Sequence, residues 1–291
     1  MELKVTKTAL KNDLIKLGIK KGDLLFISID VFKAGFFVNS KKETLSSWVE
    51  ILCEIVGNEG GIILPAFTKT FFRFKKDKKI IFDRFAHTTS GALSSFLVKH
   101  EGAVRSKHPK NSCIGIGNSI AEIFKSHNHE SMSYTVVGEI IKRGGKFVMI
   151  GTLDSKNAPQ AIHYSQEQLG YTAKMPTKGL FQTYYRTEEN KIELFTVNDI
   201  GGCSKGGHKL IGPLVVQDAI DFGYVGHARS AIMDGQKCYD VVKEELRKNR
   251  KIIQCGNKDC LDCYGNFHVD GLRSIPFYLS KMISKLTKGK K

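Results

Sequence analysis

Three short apolar runs constrain this chain more than any other feature: Leu24-Leu25-Phe26-Ile27, Ile62-Ile63-Leu64-Pro65 and Phe147-Val148-Met149-Ile150. Each follows a turn rich in glycine or charge, respectively Lys20-Lys21-Gly22-Asp23, Gly57-Asn58-Glu59-Gly60-Gly61 and Gly144-Gly145. Apolar runs bounded in this way read as strands buried on both faces. Helical patterns separate them. Residues 7–18 carry Leu10, Leu14, Ile15 and Leu17 on one side and end at Gly18. Ser40-Lys41-Lys42-Glu43 has the form of a capping box, opening a helix to about Val56 with Trp48, Leu52, Ile55 and Val56 on its core face.

Further along, helices are expected at 89–100, with Ser90 as a cap, and at 117–127, 136–143 and 226–249. Residues 69–88, basic and aromatic, read as an excursion or lid. Residues 180–198 alternate like antiparallel strands with their turn at Asn190-Lys191. A basic amphipathic tail helix is expected at 272–286. The expected fold class is α/β: a layered α/β/α arrangement with a central mixed sheet, an antiparallel β insertion in the second half and a C-terminal helical tail. No linker or repeat interrupts it, so residues 1–291 read as one domain, with 250–291 as a cysteine-containing extension. Ligands of open α/β sheets gather at the carboxyl ends of the strands, where Ser28-Ile29-Asp30 and Ala66-Phe67-Thr68 stand.

Composition narrows the function classes. At 41% hydrophobic over 291 residues the chain can bury a full core. No run reaches the roughly 20 apolar residues that cross a bilayer. Met1-Glu2-Leu3-Lys4 has no leader pattern, which makes the cytoplasm the expected location. The net charge of +16 comes from lysines spread along the chain, and no helix-turn-helix, RNP or nucleic-acid zinc-finger motif accompanies it. A solvated surface is the first reading and a basic approach to a phosphate-bearing cofactor or substrate the second. An odd count of seven cysteines, without an export signal, argues against a disulfide framework.

Four stretches, taken in order, carry a resemblance: Leu17-Gly18-Ile19-Lys20-Lys21-Gly22-Asp23 leading into Phe26-Ile27-Ser28; Gly60-Gly61-Ile62-Ile63-Leu64-Pro65-Ala66-Phe67-Thr68; Arg105-Ser106-Lys107-His108-Pro109-Lys110-Asn111-Ser112 with Gly115 and Gly117; and Phe147-Val148-Met149-Ile150-Gly151 followed by Asp154, Asn157 and His163. A weaker fifth is Gly223-Tyr224-Val225-Gly226-His227-Ala228-Arg229-Ser230. Over roughly residues 10–245 the chain resembles the aminoglycoside 3-N-acetyltransferase family, whose most distinctive motif is the R-S-x-H-P-x-x-S run. The resemblance implies an acetyl-CoA-dependent N-acetyltransferase acting on an amine of an aminoglycoside or a nucleotide-linked amino sugar. It implies His163 as general base for direct attack. Ser28, Thr68, Arg105, Ser106, His108 and Ser112 are the candidate cofactor-binding set, against structural readings in which Arg105 pairs with a surface acid, Ser106 and Ser112 cap helices, and Ser28 and Thr68 only shape the strand ends. Such chemistry suits histidine, which titrates near working pH.

Two departures stand out. The family's His-x-x-Glu reads His163-Tyr164-Ser165-Gln166-Glu167 here, so Gln166 takes the acid position. Glu167 lies one residue late but on the same helical face, with Asp154 and Asp199 as rival orienting carboxylates. The family's His-Ser-Ser-Leu at the first strand end is Ile27-Ser28-Ile29-Asp30, which points away from the antibiotic-modifying members and toward amino-sugar acceptors. Near the C-terminus, Cys255, Cys260, Cys263 and His268 have partial metal-ligand spacing. A structural zinc is the sharper reading and unligated packed thiols the blander one, with Cys203 and Cys238 able to complete or compete for the site. The competing functional readings are a basic nucleic-acid-associated protein and a homologue that binds CoA or sugar without catalysis. Edge strands leave room for a homodimer.

Overall fold

A computed structural model of the chain describes residues 4–37, 40–153, 159–172, 178–199, 201–257, 260, 263, 276, 279 and 280. The expected tail helix at 272–286 lies almost wholly outside them, as do Asp154 and His268.

The first half alternates helix and strand as its pattern requires. Helix α1 (Lys7–Leu17) starts where the Thr6 side chain accepts the Ala9 N–H and stops at Gly18, whose φ of 111° suits a residue without Cβ. Strand β1 (Leu24–Ile29) and the short α2 (Val31–Ala34) follow. Helix α3 (Lys41–Val56) opens with the Ser40 hydroxyl accepting the Glu43 N–H at 3.0 Å, as a capping box requires of its first residue. Then come β2 (Gly61–Pro65), β3 (Phe71–Phe72), β4 (Ile81–Phe82), α4 (Ala92–Val98), β5 (Val104–Arg105), β6 (Cys113–Gly117), α5 (Ile120–Lys125), α6 (Thr135–Lys142) and β7 (Lys146–Ile150). The second half adds α7 (Ala161–Gln168), β8 (Phe181–Arg186), β9 (Ile192–Thr196), α8 (Ile211–Val216), β10 (Asp221–Val225), β11 (Ala228–Asp234) and α9 (Gly235–Lys248).

Among the described residues the main sheet has seven strands in the order β10-β11-β7-β1-β2-β6-β5. The three apolar runs are its centre: β1 lies between β7 and β2 and is parallel to both, while every other pairing is antiparallel. Successive side chains on a strand point to opposite faces, and both faces here are apolar. Leu25, Ile27, Ile62, Leu64, Val148 and Ile150 pack with Leu10 and Leu14 of α1 and Trp48 and Leu52 of α3. Phe26, Ile63, Phe147 and Met149 pack on the other side with Ile140 of α6, Ile162 of α7 and Val242 and Leu246 of α9. The mixed sheet is therefore covered by helices on both faces, as expected.

A second, smaller sheet is built on β8. Strand β9 runs antiparallel along one edge, and β3 and β4 pair with successive parts of the other. Asn190 turns the β8–β9 hairpin with φ 63°, which is the antiparallel insertion at its expected place. The segment 69–88 is not a free lid, because β3 and β4 supply that sheet's far edge.

Three further expectations are corrected. Residues 226–249 are not one helix: β11 occupies 228–234, pairing with β7 and β10, and α9 begins only at Gly235, capped by Asp234. Sheet pairing overrides the helical propensity of this stretch. The helix expected at 117–127 starts at Ile120, since Gly117 ends β6. Ser90 does not cap α4; its hydroxyl accepts the Phe67 N–H at 2.7 Å, and the helix starts after Gly91 without a side-chain cap. No helix among the described residues is long and apolar enough to cross a membrane.

Gly226, at the tip of the β10–β11 hairpin, has φ 57°, and a Cβ there would stand 2.1 Å from the Ala34 carbonyl oxygen. Gly226→Ala is expected to lower stability by at least about 2 kcal/mol. Gly212→Ala in α8, where a Cβ meets nothing within 4 Å, is expected to be neutral or stabilising by up to about 1 kcal/mol. Denaturant midpoints at unchanged m-value check both.

Candidate active site

Because β1, β2 and β7 are parallel, their carboxyl ends open on one edge of the sheet. A cleft of about 270 Å³ lies there, lined by Ser28, Phe67, Thr89, Ser90 and Thr152 among others. Of the expected cofactor-binding residues, Ser28 lines this cleft. Helix α7 is tied to the same edge: the Gln160 amide donates to the Val148 carbonyl at 3.0 Å and to the Ser28 hydroxyl at 3.3 Å. The Thr152 hydroxyl donates to the Ser28 carbonyl at 3.3 Å.

His163 lies one turn further along α7 and is partly buried. Its Nδ1 is 2.8 Å from Gln166 Oε1. An amide oxygen only accepts, so Nδ1 carries the proton and Nε2 keeps the lone pair. The ring packs against Tyr134, with centroids 5.1 Å apart. Gly201 closes the other side so tightly that a Cβ would fall 2.3 Å from Nδ1 and 2.6 Å from the Tyr134 hydroxyl. Burial lowers the His163 pKa from its ordinary value; the Gln166 bond and the Gly201 backbone act against this, and the charge of Lys110 adds to it. The imidazole is thus held neutral, in one tautomer.

The expected carboxylates are placed differently. Glu167 turns to the backbone N–H of Tyr134 at 3.2 Å, and the ring partner is Gln166. Burial, with Asp199 adding, pushes the Glu167 carboxyl up to about 7. Asp199 accepts from the Ser133 N–H at 2.5 Å and the Ser133 hydroxyl at 2.9 Å. Asp154 is outside the described residues.

The R-S-x-H-P-x-x-S run forms a buried brace. The Arg105 guanidinium donates to the carbonyls of Ala66 at 2.8 Å and Ala86 at 2.5 Å, and to the hydroxyls of Ser112 at 3.1 Å and Thr68 at 3.4 Å. Burial, then Arg84, lowers its pKa to about 10, so it stays charged at neutral pH. Ser106 accepts the Cys113 N–H and faces His127 Nδ1 at 2.9 Å. His108 accepts from the Asn111 and Lys110 N–H groups through Nδ1, which leaves Nε2–H toward the Ser133 hydroxyl at 3.5 Å. It stacks on His127 at 4.9 Å. Thr68, Arg105, Ser106, His108 and Ser112 thus come together, but the polar atoms named here are engaged within the protein, and Arg105 and Ser106 line a separate cleft of about 950 Å³. Among them Arg105, Ser106, His108 and Ser112 are each at most 5% exposed.

Sequence reading missed Tyr134, His127, Ser133, Gln160 and Gly201. Only the Gly201-Gly202 pair offered a signal, a backbone stretch able to approach a side chain closely. The others sit in helices or turns with no motif around them.

Comparison with known proteins places the chain in a family. A family model described as aminoglycoside 3-N-acetyltransferase matches residues 35–247. Aminoglycoside N(3)-acetyltransferase IX of Micromonospora chalcea is 24% identical over 164 residues, 50% of this chain and 57% of that protein. Aminoglycoside N(3)-acetyltransferase III of Salmonella sp is 28% identical over 177 residues, 55% of this chain and 60% of that one. The chain thus spans less than two thirds of these relatives' length. Among solved structures, AAC-IIIb as a binary complex with CoASH superposes with a TM-score of 0.70 at 18% identity, covering 84% of this chain and 97% of that one. A histidine-to-alanine mutant of AAC(3)-IVa in complex with apramycin gives 0.67 at 15% identity, over 87% and 96%. These structures share the fold. The chain belongs to the aminoglycoside 3-N-acetyltransferase family.

Two buried histidines and one buried carboxyl set opposite pH dependences. His108 and His127 are lowered from 6.5 to about 3, chiefly by burial. Between those values the unfolded chain binds more protons than the folded one, so they make stability rise with pH and fall as pH drops toward 3. Glu167 is raised from 4.5 to about 7; between those values the folded chain holds the extra proton, so this group makes stability fall as pH rises. Melting temperature is expected to climb from pH 4 to 6, two groups outweighing one. Glu167→Gln is expected to gain on the order of 1–2 kcal/mol at pH 8, since the amide oxygen still accepts from Tyr134. Thermal melts across pH 4–8 on both proteins check this.

Proposed function

We propose that the protein transfers an acetyl group from acetyl-CoA to an amine of a sugar, with His163 as general base. The observation that carries this reading is the held tautomer of His163, whose Nδ1–H is fixed by Gln166 and whose Nε2 lone pair is therefore left to accept a proton. Nε2 takes a proton from the acceptor ammonium, the freed amine attacks the thioester carbonyl, and the C–N bond forms as the C–S bond breaks. The CoA thiolate leaves and takes up the second proton that the attacking nitrogen loses as the amide forms, while His163 returns the first to solvent. The hydroxyls of Ser28 and Ser90 at the cleft, whose oxygens accept from the Gln160 amide and the Phe67 N–H, offer donors for the thioester end of the co-substrate and its tetrahedral oxyanion. The relatives' names point to acetyl transfer onto aminoglycosides, and one fold neighbour is a complex with CoASH.

Charge favours a different acceptor. At +16 the chain repels a polycation at long range and attracts an anion. A nucleotide-linked amino sugar, carrying phosphates and one amine, suits that field better than a polycationic aminoglycoside. The altered strand end Ile27-Ser28-Ile29-Asp30 supports the same choice.

The amide at position 166 favours a second reading, a homologue that binds CoA without turnover. It stabilises imidazolium less than a carboxylate would.

Thiol release from acetyl-CoA, measured over nucleotide-linked amino sugars and aminoglycosides, tests the proposal. Amine-dependent release is expected, falling by about 10²–10⁴-fold in His163→Ala. Gln166→Glu is expected to move the acid limb of the kcat/KM profile upward by about one pH unit, because a carboxylate favours the protonated ring. CoA binding without release in any acceptor would establish the second reading. Neither binding nor release, with salt-sensitive affinity for polynucleotides instead, would overturn the enzyme assignment.

A further inference from the structure

Away from the sheet edge, four cysteines converge. The Sγ atoms of Cys203, Cys255, Cys260 and Cys263 all lie within 4.8 Å of one another. Cys203, Cys260 and Cys263 are buried and Cys255 is half-buried. Tetrahedral zinc with Zn–S bonds of about 2.3 Å requires Sγ–Sγ edges of about 3.8 Å. Four thiols gathered to nearly that spacing point at one centre, not at two separate pairs. Cys255 and Cys263 are 3.4 Å apart, sulfur to sulfur, well beyond a disulfide bond of about 2 Å.

The surroundings suit a tetrathiolate. Backbone N–H groups already point at sulfur, Cys255 N–H to Cys263 Sγ at 3.3 Å and Cys263 N–H to Cys260 Sγ at 3.5 Å. Such donors compensate thiolate charge around a metal. The two segments that bring the cysteines together are pinned independently of them. A Cβ on Gly206 would stand 2.3 Å from the Ile253 carbonyl oxygen, and the Lys209 ammonium donates to the Gln254 carbonyl at 2.7 Å. The other three cysteines stand outside this group: Cys53 lies in α3, Cys113 in β6 and Cys238 in α9.

We propose that Cys203, Cys255, Cys260 and Cys263 bind one zinc ion, in a closed structural site with Cys203, not His268, as fourth ligand. Four protein ligands fill the tetrahedron, so the ion stands outside the chemistry. Its mechanical position is specific. Cys203 is two residues beyond Gly201, the backbone that closes against the His163 ring, and four beyond Asp199, which holds Ser133. The metal fastens this strip to Cys255, Cys260 and Cys263 and so fixes the wall behind the imidazole. Binding deprotonates the thiols and releases their protons to solvent. The ligand set stands on its own geometry; only the effect on His163 rests on the acetyl-transfer reading.

The experiment is metal analysis of the purified full chain under reducing conditions, followed by chelation and refilling with Zn²⁺ or Co²⁺. One zinc per chain is expected. The cobalt form is expected to show sulfur-to-cobalt charge transfer and the visible bands of a tetrahedral thiolate site. Cys203→Ser is expected to lose the metal and His268→Ala to keep it. Chelation is expected to speed hydrogen exchange across residues 201–210 and to leave α1 and β1 unchanged, whatever the activity. If Cys203→Ser fails to fold, the cobalt spectrum of the unaltered chain still decides the ligand type. A refilled chain without stoichiometric metal, with four thiols open to a thiol reagent, would sink the proposal. So would cobalt bands without sulfur charge transfer, or loss of metal in His268→Ala with retention in Cys203→Ser.

Discussion

The structure depends on three strands that are buried on both faces. Strands β1, β2 and β7 alternate Leu25 with Phe26 with Ile27, Ile62 with Ile63, and Phe147 with Val148 with Met149, so neither face can meet water. At about 25 cal/mol per Å² of apolar area removed from water, such residues need a helical layer on each side. Helices α1 and α3 cover one face and α6, α7 and α9 the other. Parallel pairing of β1 with both neighbours then leaves three carboxyl ends on one edge, with backbone groups that the sheet cannot satisfy. The cleft, the Ser28 hydroxyl and the anchor of α7 all sit on that edge.

The site follows from how the edge is held. Arg105, at the end of β5, bonds the carbonyls of Ala66 and Ala86, so the exits from β2 and from the β4 segment are locked to β5. A buried guanidinium is costly to desolvate and is sustained only by a full set of acceptors. The R-S-x-H-P-x-x-S run supplies part of that set through Ser112, and its His108 leads through Ser133 to Asp199. In this way the most distinctive motif of the chain acts on the site by positioning the elements around it. His163 itself is held from three sides, by Gln166, Tyr134 and Gly201, and each contact disfavours movement of the ring.

What was legible in the sequence tracks the range of the forces involved. The strand centres, α1, α3 with its Ser40 cap, and the hairpin at Asn190 follow from local periodicity and turn chemistry, and all appear where those patterns place them. The segment 226–249 failed because β11 is stabilised by hydrogen bonds to β7, some 80 residues away in sequence. Ser90 failed for a similar reason, since its hydroxyl found the Phe67 N–H in place of a helix end. Cys203 was legible only as one of two cysteines, with Cys238, able to complete or compete for the site, because its distance in sequence from Cys255 falls outside the short spacings by which metal sites are read.

Residue types and their spacing by themselves determined the α/β class, the order of the central elements, the family membership and His163 as the residue to examine. These are set by one-dimensional signals: hydrophobic period, caps, glycine turns and a motif with fixed internal distances. Tertiary structure alone decided what each polar group touches. It turned Glu167 toward Tyr134 and gave His163 to Gln166, buried Arg105, Ser106, His108 and Ser112, and gathered Cys203 with the three C-terminal cysteines. Those outcomes depend on which side chains meet across a folded core, where burial and hydrogen-bond satisfaction are settled together. Neither is a property of any short stretch of chain.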